Sequence, residues 1–313
     1  MNCRVEAVAR AWIGTRTPAI VVEVVDTRGS VPREVGARML VGAVGTAGTI
    51  GGGHLELKAI VSARKMLAGD AGSRREQSFA LGPSLGQCCG GAVTLSFAPL
   101  DAQALARWPT SVPLFHLQLH GAGHVGRAIA TALAMLDVEV DWFDQRDEEF
   151  PATTLLGSPW PERIRRISVD SIKAEVRQAP PGAFFLVLTH EHALDLRIVE
   201  AILRRGDFTF CGLIDSRTKR AKFARRLEER GLAPATIARI TCPIGIEGIA
   251  GKEPEVIAAG VVAQLLLQRS RALRTIDADE TNASPDDRPA PAPERGPGAR
   301  ILAAARPLHR RAR

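Results

Sequence analysis

The chain has 313 residues, 45% hydrophobic and 24% charged, which is enough for two ordinary globular domains with separate cores. Its formal charge is +7, but Arg300 to Arg313 hold five arginines and no acid, leaving about +2 on everything before them; with no Tyr and 4% aromatics, this reads as a solvated basic tail and excludes a base-stacking nucleic-acid surface. No run approaches the ~20 apolar residues of a membrane span, MNCRVEAVARAW lacks the apolar stretch of a secretory signal, and five cysteines without framework spacing read as reduced thiols, so the expectation is a cytoplasmic protein with no membrane partner.

In chain order, Val5 to Trp12 predicts a helix, and the β-branched AIVVEVV, Ala19 to Val25, a strand. The turn Arg28-Gly29-Ser30-Val31-Pro32-Arg33 leads to a second strand in ARMLVG. GTIGGGHLE opens a helix from His54 to Leu67, with Ile60 and Leu67 on its apolar face and Gly69 as its stop. REQSFAL and GAVTLSF then form two strands flanking LGPSLGQCCGG. The Pro-bounded stretch from Pro99 to Pro113 marks a domain boundary.

Beyond it, strands and helices alternate. Strands are predicted at Leu114 to Leu119, Val138 to Phe143, Ala183 to Leu188 and Phe208 to Ile214. Helices are predicted at Val125 to Met135, Leu194 to Arg205 and Thr218 to Arg230, and a last one starts at Pro254. That alternation implies a parallel, doubly wound sheet. From about Thr275 the Pro-, Ala-, Asp- and Arg-rich sequence reads as a disordered tail. The fold class is therefore α/β: an N-terminal α+β domain (1–112), a Rossmann-like doubly wound parallel-sheet domain (113–272), and a disordered tail (273–313).

The sharpest local motif is LFHLQLHGAGHVGRAIATALAML, where Gly121, Gly123 and Gly126 form G-x-G-x-x-G between a strand and a helix. Such glycines allow a tight turn, backbone approach to a pyrophosphate, and close helix–strand packing. Asp144, at the end of the next strand, stands where a ribose-binding acid belongs, and Arg146 could meet a 2′-phosphate. NAD(P) is thus one cofactor expectation; a scaffold whose glycines serve only packing is the other.

VLTHEHALD places Thr189, His190, His192 and Asp195 at the carboxyl end of a strand, where open α/β sheets bind ligands; a capped helix entry explains them equally well. In GLIDSRTKRAKFARRLEERG, Asp215 or Ser216 can cap a helix whose first turn gathers Arg217, Lys219 and Arg220.

In the first domain, two glycine-rich loops carry Arg28, Arg33, Arg38, His54 and Glu56, a setting suited to phosphate or a polar heterocycle. Neither loop matches a P-loop. For Cys88 and Cys89, adjacency argues against a shared zinc ion and a reducing compartment against a vicinal disulfide. Buried packing and a thiol activated by neighbouring amides both remain open.

Taken in order, GSVPREVGARMLV, GTIGGGHLE, LGPSLGQCCGG, LHGAGHVGRAIA, VLTHEHALD and TCPIGIEGIAGKEPEVIA resemble the XdhC/CoxI family of xanthine dehydrogenase accessory proteins over about residues 1 to 270. The resemblance implies a maturation chaperone that binds the molybdenum cofactor (molybdopterin). It supports the cofactor's sulfuration with a cysteine desulfurase and inserts it into a xanthine dehydrogenase-type molybdenum hydroxylase, without turning over that enzyme's substrate. The family's cysteine loop falls on Gln87, Cys88, Cys89, Gly90 and Gly91. Its first glycine loop falls on Gly51, Gly52, Gly53, His54 and Glu56, and its Rossmann glycines on Gly121, Gly123 and Gly126.

On that analogy Cys88 or Cys89 approaches molybdenum or its sulfur ligand, because thiolate is the soft ligand available. Glycine-loop amides and arginines, Arg33 among them, hold the pterin phosphate. Asp215-Ser216 departs from the Gly-Ser frequent in the family, and a carboxylate there discourages an anion close by. The sequence leaves oligomeric state open, a homodimer being compatible with it. An NAD(P)-dependent oxidoreductase is the alternative, with His124, His190 and His192 as proton-donor candidates.

Overall fold

A computed structural model describes residues 3–69, 74–81, 90–109, 112–169 and 172–282. The chain divides into two compact units, residues 1–269 and 270–313. The first holds two sheets.

The N-terminal sheet has five antiparallel strands: β1 (Ala19–Arg28), β2 (Arg38–Gly42), β3 (Thr46–Gly48), β4 (Arg75–Ala80) and β5 (Ala92–Pro99), in the order β3-β2-β1-β5-β4. Central β1 is buried on both faces from Ala19 to Val22, which explains its unbroken β-branched run. Helix α1 (Cys3–Gly14) covers one face through Val5 and Ala9, which cluster with Val21 and Leu40. Helix α2 (Gly53–Ala68) covers the other with Leu55, Ala59, Ala63 and Met66. Ile60 and Leu67, expected on that face, are only partly buried against it, because each follows a stripe residue by one position and so sits about 100° round the helix from it. A short helix α3 (Ala102–Ala106), capped by Asp101, lies within the stretch that marks the domain boundary.

The second sheet is parallel throughout. Its strands are β6 (His116–His120), β7 (Glu139–Asp144), β8 (Ile164–Ser168), β9 (Phe184–Val187), β10 (Phe210–Leu213) and β11 (Ile240–Thr241). Their order, β11-β10-β9-β6-β7-β8, reverses direction between β6 and β9, as in dinucleotide-binding sheets. Helices α4 (His124–Leu133), α5 (Ile172–Val176), α6 (His192–Arg205), α7 (Arg217–Glu229) and α8 (Pro234–Ile237) complete the crossovers. The fold is the α/β arrangement expected from the alternating pattern. His120, at the end of β6, is fully buried between Phe143 and Phe185, and both of its ring nitrogens lack hydrogen-bond partners.

The final helix, α9 (Pro254–Asn282), runs beyond Thr275, where the polar tail was expected to begin. By length and composition alone Pro254–Thr275 could cross a membrane, although Glu255, Arg269, Arg271 and Arg274 interrupt its apolar run. Ala258, Val261 and Leu265 of this helix are buried in the core beside β6, and Arg269 Nε donates to the Leu114 carbonyl. The basic residues from Arg300 onward lie outside the described residues.

Candidate functional site

In the N-terminal domain the turn Arg28–Arg33 touches both of its neighbouring glycine loops. A Cβ on Gly91 would lie 2.4 Å from the Ser30 carbonyl oxygen and 2.5 Å from that of Arg28, so only glycine fits there. Gly91 is the stem of the cysteine loop, closed at its base by the Leu81 N–H donating to the Gly91 carbonyl at 2.7 Å. Gln87, Cys88 and Cys89 themselves lie outside the described residues. On the other side, a Cβ on Gly51 would meet Pro32 at 2.5 Å and Arg33 Cγ at 3.6 Å. Arg33 also lines an open cleft of about 480 Å³ with Val5, Glu34 and Trp108.

Gly51, Gly52 and Gly53 all have positive φ (126°, 74° and 61°), which is why three glycines stand in succession at the start of α2. Three amides of the loop, those of Ile50, Gly51 and Gly52, already have acceptors within the chain. Glu56 Oε2 accepts from the Thr49 hydroxyl (2.6 Å), the Ile50 N–H (3.1 Å) and the Gly52 N–H (3.0 Å). The Gly51 N–H donates to Thr49 Oγ1. An internal carboxylate therefore fills the nest, and Glu56 ties the loop to its helix. His54 is exposed at the start of α2.

At the Rossmann edge, the glycines pack closely. A Cβ on Gly121 would lie 2.3 Å from the Leu188 carbonyl oxygen, and one on Gly126 would lie 2.1 Å from that of Gly121. Gly123 has open space around it and caps α4. Asp144 is buried, and its carboxylate is fully used. Oδ1 accepts from Arg146 N–H and Nε, and Oδ2 from the Ala122 N–H (2.7 Å) and Arg146 Nη2. Burial pushes its pKa up, but Arg146 and the Ala122 amide outweigh that and hold it below the ordinary value. A carboxylate offers about four lone-pair positions, so a ribose would have to displace Arg146, which is itself paired with Glu149 at 2.9 Å.

A second cluster sits where β9 and β10 end. Asp195 Oδ1 accepts from the Thr189 N–H (3.0 Å) and hydroxyl (2.7 Å). Asp195 Oδ2 and Asp215 Oδ2 stand 3.9 and 3.8 Å from His192 Nδ1. Lys219 Nζ lies 3.0 Å from His192 Nε2 and 3.3 Å from Asp215 Oδ1. Ser216 caps α7 by accepting from the Lys219 N–H, the capping role expected of that pair. Burial raises the Asp195 pKa, the Thr189 hydrogen bonds oppose that, and the Asp215 charge adds to the rise. Nearby Cys242 has its thiol pushed up to about 11, first by burial and then by Asp215, so it is no nucleophile at neutral pH. Each of these residues was a separate polar feature of the sequence; the fold brings together two loops that follow different strands. Among the described residues no group of three or more His, Cys, Asp and Glu is arranged to hold a metal ion.

These features define a chain with a glycine-loop α+β domain ahead of a Rossmann-type domain. A family model described as the XdhC Rossmann domain matches residues 117–265. One described as the XdhC and CoxI family matches residues 12–78. The chain belongs to the XdhC/CoxI family. It is 32% identical over 273 residues to the Uncharacterized protein YqeB of Escherichia coli (strain K12), covering 82% of this chain and 44% of that protein, so it spans less than half of that relative. A crystal structure described as a xanthine dehydrogenase from Bacillus halodurans has the same fold, with a TM-score of 0.66 over 91% of this chain and 98% of that one, at 20% identity.

Proposed function

We propose that this chain is an accessory protein of a xanthine dehydrogenase-type molybdenum hydroxylase and carries the molybdenum cofactor as cargo. The observation that carries the reading is the turn Arg28–Arg33, packed at once against Gly51 and against Gly91, the stem of the cysteine loop. One turn therefore meets the bases of two loops whose residues suit the phosphate and the dithiolene-bound metal of a molybdopterin. Cys88 or Cys89 would offer the soft ligand to molybdenum. Because Glu56 fills the Gly51 loop, the phosphate falls to Arg33 and the first-turn amides of α2, which a helix leaves without internal partners. In this reading the cofactor supplies the redox chemistry only later, in the client enzyme, and this chain binds, shields and releases it. A cysteine desulfurase is the partner for sulfuration, and the hydroxylase the partner for delivery, both in the cytoplasm.

The oxidoreductase alternative is weaker, because Asp144 already has donors on both carboxylate oxygens. A transfer assay separates the two. Chain purified from a molybdate-fed host, incubated with an immature hydroxylase, should restore that enzyme's activity. Failure to restore it, together with nicotinamide-dependent turnover of a simple carbonyl substrate, would overturn the carrier reading.

A further inference from the structure

The cluster after β9 and β10 has a hydrogen-bonding pattern that the carrier reading does not use. Asp215 is 4% exposed at its side chain, and its Oδ2 has no hydrogen-bond partner. A buried carboxylate oxygen without a donor is costly, and its position marks where a donor is missing. Asp195, 2% exposed at its side chain, directs Oδ2 toward the same His192 nitrogen. Lys219 completes the row, bound to Asp215 Oδ1.

His192 occupies this row loosely. A lysine ammonium only donates, so His192 Nε2 is the acceptor and its proton sits on Nδ1, facing the two carboxylates. At 3.8 and 3.9 Å that N–H reaches neither oxygen as a hydrogen bond. The imidazole is 59% exposed, and Lys219 is its one hydrogen-bond partner among the described residues. It thus presents an acceptor to Lys219 and a donor to the carboxylates, with the two nitrogens separated by one carbon. The row itself reads donor, acceptor, acceptor.

We propose that this row binds a fused 2-amino-4-oxopyrimidine ring, with His192 as the placeholder that the ring displaces. That ring carries an oxo acceptor, a ring N–H and an exocyclic amine along one edge, the oxo oxygen and ring nitrogen again being one carbon apart. Lys219 meets the oxo group, Asp215 Oδ2 the ring N–H, and Asp195 Oδ2 the amine. Guanine and pterin share this edge. Adenine reverses it, placing its amine against Lys219 and a lone pair against a carboxylate. The glycine loop of β6 borders the row, since the Gly121 Cβ position is 3.2 Å from the Thr189 nitrogen. Only the pterin version rests on the cofactor-carrier reading; the guanine version stands without it.

The test uses the full chain purified without molybdate and titrated with four probes: pterin by its fluorescence, and GMP, IMP and AMP by calorimetry. Pterin or GMP should bind and AMP should not, and whichever of the two binds identifies the source. If GMP binds, IMP, which lacks the 2-amino group, should bind about tenfold more weakly, the usual loss for a hydrogen bond to a charged acceptor. Asp215→Asn should lose about tenfold or more for the same reason, with its fold checked by circular dichroism. The decisive variant is His192→Ala at the exposed placeholder, which should tighten binding by about threefold or more because less has to be displaced. Binding of none of the four, equal binding of AMP and GMP, equal binding of IMP and GMP, or weaker binding by His192→Ala would each overturn the proposal. Because no molybdenum is present, failure here is distinct from failure of cofactor carriage, which molybdenum content reads separately.

Discussion

Two adjacent glycines, Gly90 and Gly91, should respond very differently to alanine. A Cβ on Gly90 meets nothing within 4 Å, whereas one on Gly91 lands 2.4 and 2.5 Å from two backbone oxygens. Ordinary contact begins at 3.4 Å, so the Ser30 and Arg28 carbonyls would each have to retreat by about 1 Å. Neither can yield as a flexible side chain would, because Arg28 ends β1 and is paired with Ala92. Overpacking of this kind costs about 2–3 kcal/mol. For a domain of this size that lowers Tm by roughly 4–12 °C. Thermal unfolding of the two variants under identical conditions checks it. Gly91→Ala should fall by that amount, and Gly90→Ala should stay near the unsubstituted chain. Equal melting of the two would refute the packing of the cysteine-loop stem on the Arg28–Arg33 turn.

Gly126→Ala should cost about 3 kcal/mol in denaturant unfolding, since its Cβ would sit 2.1 Å from the Gly121 carbonyl oxygen. Glu56→Ala should lose about 1–3 kcal/mol by leaving the Ile50 and Gly52 amides unpaired, and Glu56→Gln, which keeps a carbonyl acceptor, should lose less. Burial lowers the His120 pKa from 6.5 to about 3, against a weaker opposing pull from Asp141. The unfolded chain therefore takes up a proton first as pH falls, and stability drops by roughly 1.4 kcal/mol per pH unit between those two values. His120→Phe should remove that slope in urea titrations from pH 6.5 to 4. Asp195 behaves oppositely: its folded pKa is raised, so stability falls as pH rises from the unfolded value through the folded one. Asp195→Asn, whose carbonyl can keep the Thr189 hydrogen bonds, should stabilise the chain at pH 7 and not at pH 3.

The parallel sheet was legible because strands and helices alternate along the chain and its glycine loop joins a strand to a helix. β3 and β8 escaped notice because edge strands carry few buried residues: Thr46–Gly48 has none, and Ile164 is the one buried residue of β8. The buried stripe of α2 was misplaced because two of its four residues are the small Ala59 and Ala63, while the larger Ile60 and Leu67 lie one position round its edge. What the sequence conceals is saturation. Glu56 and Asp144 look like ligand-binding acids, yet three donors meet one and four the other from within the chain. Nor does any spacing announce that Asp195 and Asp215, twenty residues apart, share one imidazole.

The central claim, carriage of the molybdenum cofactor through the cysteine loop, is tested most directly by elemental analysis of the full chain from a molybdate-fed host. It is measured beside the folded Cys88→Ala, Cys89→Ala double variant. Carriage predicts molybdenum approaching one atom per chain in the unsubstituted protein and a large loss in the variant at unchanged Tm. A chain free of molybdenum, or a variant that retains all of it, would contradict the account.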